Sequence, residues 1–120
     1  MHEVIQGIEA GDPACIMIGV EFVEEDDFFV FGRKLKSNAA RALRRAQLPE
    51  DLKARLRRRI VSMLLAGMVP NEFREYSKLL RVIGVAEYCD ELDAKIPRDN
   101  PYAMRYYSIL RAATGKPAEG

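Results

Sequence analysis

The chain has 120 residues, 48% of them apolar and 31% charged, with a formal charge of +1. That is enough apolar material for one core and too much for a disordered chain, and no apolar run approaches the roughly 20 residues of a membrane span. The one histidine, His2, stands at the start, which removes most zinc sites and most acid–base chemistry built on imidazole.

In chain order, Glu3 to Ala10 reads as a short helix with Val4, Ile5 and Ile8 on one side, stopped by Gly11. Asp12-Pro13 restarts a helix, with the aspartate as N-cap and the proline at the first helical position. Ala14 to Glu25 is apolar nearly all round, and Glu21, Glu24 and Glu25 make its polar stripe, which predicts a deeply packed helix with one wet edge. The β-branched and aromatic residues at Ile16 to Val23 and Phe28 to Phe31 also fit a hairpin. The Asp-Pro cap and the glutamate spacing favour the helix.

Gly32 to Ala46 has Leu35, Ala39, Ala42, Leu43 and Ala46 on one face and arginines on the other. Pro49, Glu50 and Asp51 open the next helix with acids suited to its N-terminus, and the stripe Leu52, Leu56, Ile60, Met63, Leu64 carries it to about Met68. Phe73, Tyr76, Leu79, Leu80 and Ile83 give a helix closed by Gly84. Val85 to Ile96 stops at Pro97, and Asp99-Asn100-Pro101 opens a last helix striped by Tyr102, Tyr106, Ile109 and Ala113.

The expected fold is therefore all-α: about seven helices in a compact bundle or a short stack of helical hairpins. Helix pairs starting near residues 3, 33, 71 and 101 have the spacing of a HEAT-like array, without a shared residue pattern. Residues 1–113 are expected to form a single helical domain and residues 114–120 a flexible C-terminal tail. Cys15 and Cys89 fall inside apolar helices, which predicts reduced thiols. Met1-His2-Glu3 lacks the basic-then-apolar order of a signal peptide, so a cytoplasmic location away from any membrane is expected.

The near-neutral total conceals sorted charge. Residues 1–32 carry eight acids and no Lys or Arg, residues 33–59 carry eleven bases against Glu50 and Asp51, and residues 60–120 carry eight of each. Acids ending one helix and Arg33, Lys34 and Lys36 opening the next oppose their own helix dipoles, so they are expected to neutralise one another across the intervening loop. The remaining arginines give the candidate binding surface: Arg41, Arg44, Arg45, Arg55, Arg58 and Arg59. Arg55 to Arg59 spread around their helix, so some of them must pair internally. Phe28, Phe29 and Phe31 form a second candidate, a docking loop, although such runs more often fold inward. Tyr102, Tyr106 and Tyr107 flank Arg105, a composition favoured at interfaces, but the i, i+4 spacing of Tyr102 and Tyr106 favours ordinary packing.

No serine has a histidine to complete a triad, no glycine-rich phosphate loop occurs, and Glu24 to Asp27 lack EF-hand spacing. No catalytic residue, metal site or cofactor is therefore expected. The sequence points to a non-enzymatic interaction module whose partner is a protein, a second copy of this chain included. The alternative is nucleic-acid binding by the same arginine face. A small enzyme comes third and is disfavoured.

Overall fold

The computed structural model describes residues 2–24 and 30–113, with side chains described for 3–24 and 35–113. Among these residues the chain is all-helical: α1 His2–Glu9, α2 Pro13–Glu24, α3 Val30–Arg45, α4 Glu50–Leu65, α5 Phe73–Ile83, α6 Cys89–Lys95 and α7 Pro101–Ala113. A 3-10 turn, Ala86–Tyr88, leads into α6, where the sequence alone predicts one continuous helix. No described helix is long and apolar enough to cross a membrane.

The helix boundaries follow from local chemistry. Gly11 takes a left-handed φ of +84° and closes α1, with Asp12 N–H donating to Gly7 O at 2.8 Å. Asp12 then accepts from Ala14 N–H at 2.9 Å and starts α2. The segment from Pro13 to Glu24 is thus helix and not the first strand of a hairpin. α4 ends at Leu65, earlier than its apolar stripe predicts, because Gly67 turns left-handed (φ +75°) and Met68 N–H folds back onto Met63 O at 2.8 Å. Asn100 Oδ1 accepts from Tyr102 and Ala103 N–H at 3.0 and 3.1 Å, so the cap lies immediately before Pro101.

The packing is that of a bundle centred on α5. α1, α2 and α3 pack on one another, and α1 approaches α2 so closely that a Cβ at Gly7 would fall inside the Cys15 side chain. α3 makes its main contacts with α1, α2 and α5, whereas α4 makes its own with α2, α5, α6 and α7. α5 therefore lies between two groups of helices and also meets α7. Phe73, Tyr76, Leu79 and Leu80 are fully buried, with Ile83 at the edge. The core continues through Leu43 on α3, Leu56, Ile60 and Leu64 on α4, and Leu110 on α7. Fully burying an aliphatic or aromatic side chain contributes about 1.5–3 kcal/mol, so this cluster holds the helices in place. Cys15 is half-buried, Cys89 is buried, and both are free thiols.

Candidate anion-binding groove

The arginines singled out in the sequence meet different partners. Arg41 and Arg44, on α3, converge on Glu75 of α5, at 3.3 and 3.6 Å. Arg55, on α4, reaches Glu24 at the end of α2, its Nη2 and Nε lying 2.5 and 3.1 Å from the two carboxylate oxygens. Its Nη1 lies 3.2 Å from Met17 Sδ. Glu24 favours the charged guanidinium and raises its pKa. Arg59 donates to Val23 O at 3.3 Å. Arg45 and Arg58 are exposed and form no ion pair among the described residues.

α2 packs against α4, and Glu24 meets Arg55 there. Lys36, on α3, is buried with its ammonium 5.6 Å from the centroid of the Phe22 ring. Glu25 to Asp27, the Arg33 and Lys34 side chains, and the whole Phe28, Phe29 and Phe31 docking surface lie outside the described side chains.

Arg57 is the most deeply placed of the basic residues on α4. Its Nη2 and Nε donate to Ile83 O and Gly84 O, at 2.8 and 2.9 Å, across the C-terminus of α5. Those carbonyls have no partner within their own helix, and the helix dipole favours a cation there. Nη1 bonds Glu50 at 2.7 Å and lies 3.4 Å from Glu87. The hydrogen bond from Arg57 holds the Glu50 carboxyl below the usual carboxylate range. Spread around the helix as the sequence shows them, Arg55 and Arg57 are tied up inside the molecule.

A different cationic surface lies on the other flank of α5. Arg74, Lys78 and Arg81 are spaced i, i+4 and i+7, so they share one face of that helix. α7 runs beside it in the same direction: Phe73 at the start of α5 meets Tyr106 in the middle of α7, with ring centroids 5.0 Å apart, and Leu80 and Ala113, farther along both helices, line one small cavity. Between them is a groove of about 770 Å³. α5 supplies Arg74, Ser77, Lys78 and Arg81; α7 supplies Tyr102, Arg105, Tyr106 and Ile109. Val69, Pro70 and Asn71 close one end, where Asn100 Nδ2 donates to Gly67 O at 3.3 Å and ties the α4–α5 connection to the start of α7.

Among the described residues, four cations line this groove and no carboxylate does. Arg74, Arg81 and Arg105 are exposed and form no ion pair among the described residues. Lys78 lies 3.9 Å from Glu75, a carboxylate already shared with Arg41 and Arg44. Other acids of this half are engaged elsewhere. Asp93 takes Arg111 at 3.2 Å and the Tyr107 hydroxyl at 2.5 Å, and that hydrogen bond raises the tyrosine pKa. Glu91 lies 3.7 Å from Lys95, and Glu87 faces Arg57. A concave wall of one sign focuses its field and concentrates counter-charged ligands.

The tyrosines of α7 divide. Tyr106 is half-buried against Phe73 and packs as the sequence predicts. Tyr102 is 66% exposed at the end of the groove next to Asn71, and belongs to the surface. Sequence reasoning passed over Arg74, Lys78 and Arg81, because they lie in a stretch of balanced charge. Their helical spacing opposite the Phe73–Ile83 stripe was the available signal. Among the described residues no three His, Cys, Asp or Glu side chains converge as metal ligands do. No protein-family model, curated protein or solved structure matches the chain.

Proposed function

We propose that this protein is a non-enzymatic binding module that captures an anionic partner in the α5–α7 groove. One observation carries the reading: Arg74, Lys78, Arg81 and Arg105 converge from two helices on a groove whose lining holds no carboxylate among the described residues. Elsewhere in the molecule Arg41, Arg44, Arg55 and Arg57 are each matched by an acid of the chain itself. Leaving cations exposed and unmatched contributes nothing to a fold, whereas a docking anion gains charge-assisted hydrogen bonds from planar guanidinium forks. The groove's volume lies within the range of about 300–1,000 Å³ that small-ligand sites occupy. It therefore fits a short anionic segment better than a broad protein face.

Fluorescence anisotropy with two labelled anions, octaglutamate and hexathymidylate, tests this. At least one is expected to bind, more weakly as salt rises from about 50 to 200 mM. The paired reversal Arg74→Glu with Arg81→Glu is expected to abolish binding, whereas Arg45→Glu with Arg58→Glu leaves most of it. Absence of binding by both anions at low salt, or equal losses from the two paired reversals, overturns the groove as the binding site.

A further inference from the structure

We infer that the occupant of the α5–α7 groove is a short stretch of single-stranded nucleic acid, its phosphates along α5 and one base stacked on Tyr102. This rests on the anion-binding reading above and narrows it to one ligand chemistry. The decisive feature is the order of groups along the groove. Tyr102, two-thirds exposed, and the Asn71 amide stand at one end, and Arg81 stands at the other. Arg74, Lys78 and Arg81 span seven residues of helix, about 10 Å at 1.5 Å per residue. That length serves about three phosphates of a strand, with Arg105 reaching them from α7.

An aromatic face next to a cationic track is the arrangement by which proteins hold single strands. The track follows the backbone, and every base offers a flat face to stack. Tyr106 is already occupied by Phe73, so Tyr102 is the ring on offer. The Asn71 side chain carries both a donor and an acceptor for a base edge. A duplex hides its base faces in its own stack and leaves Tyr102 nothing to cover. An acidic peptide matches the cations but has no use for a flat ring beside them.

The test compares labelled hexathymidylate, a longer GC-rich duplex, thymidine monophosphate and octaglutamate on the intact chain. Hexathymidylate is expected to bind tightest, with a log–log salt slope of about −2, the value for about three phosphates of a single strand. Tyr102→Ala is expected to weaken it roughly tenfold or more, the size of one lost base stack. Tyr102→Phe, which keeps the ring, is expected to bind like the unaltered chain, and melting curves of both variants verify their folding. If octaglutamate binds as tightly and Tyr102→Ala changes neither affinity, the ligand is an acidic protein segment. The nucleic-acid inference then falls while the anion-binding reading stands. A duplex or a mononucleotide binding as well as the hexamer also overturns it. If no anion binds, both readings fall together.

Discussion

The two flanks of α5 carry similar residues in opposite circumstances. On one flank Arg41 and Arg44 close on a buried glutamate, and at the helix end Arg57 saturates two carbonyls and an acid. On the other, Arg74, Arg81 and Arg105 face a groove without a counter-charge among the described residues. The first set comes largely from the stretch whose net charge is +9, the second from a stretch whose net charge is zero. Net charge along a chain thus says little about free charge on its surface. What decides is where the acids are spent: Glu87, Glu91 and Asp93 serve partners away from the groove, and Glu75, shared by Arg41 and Arg44, reaches the groove at Lys78.

The largest effect that sharpens this contrast is expected at Arg57. Arg57→Met leaves the Ile83 and Gly84 carbonyls without their donor and should lower unfolding free energy by about 2–4 kcal/mol, or Tm by roughly 10 °C. Thermal and urea melts measure it, and a variant as stable as the parent chain would erase the distinction between the two flanks. Next comes Glu75→Gln, which removes the charge that Arg41 and Arg44 share. A loss of about 1–2 kcal/mol is expected, smaller in about 1 M salt where ion pairs are screened.

A weaker, pH-dependent effect belongs to Glu50. Its carboxyl is held down by Arg57, so its contribution is present above the ordinary carboxylate pKa of about 4.3 and is lost as pH falls through the lowered folded value. Glu50→Gln should therefore lower Tm slightly at neutral pH and meet the parent chain's curve in acid, which flattens the acid limb of a Tm-against-pH plot; identical acid limbs would separate Glu50 from Arg57. The smallest effect is expected in the groove. Arg74→Ala and Arg81→Ala should each change stability by no more than about 0.5 kcal/mol, because neither forms an ion pair among the described residues. A loss comparable to that of Glu75→Gln would show these cations to be structural.

The helices are legible in the sequence because their signals are local. Asp12-Pro13 and Asn100-Pro101 announce starts, Gly11 and Gly84 announce stops, and the Phe73–Ile83 stripe fixes which side of α5 is buried. The end of α4 was misplaced because the apolar stripe runs on to Met68, while the backbone turns at Gly67. The candidate site was legible only in part. Arginine density points to α3 and α4, yet whether an arginine is free depends on acids 31 to 34 residues away, as with Arg55–Glu24 and Arg41–Glu75. Such pairings are set by helix packing, which no local pattern encodes. Tyr102 and Tyr106 show the same limit: alike in spacing, they part because only one of them meets Phe73.

The contact between Phe73 and Tyr106 makes one wall of the groove also a piece of the core. A ligand bridging α5 and α7 therefore meets its site only in the folded chain, and occupancy and heat resistance become one measurement. At a hundredfold excess over Kd, mass action alone adds about 2.7 kcal/mol to the unfolding free energy. For a chain of this length that moves the melting midpoint by several degrees, enough to rank oligonucleotides, peptides and small anions side by side in a dye-based thermal screen before any label is attached.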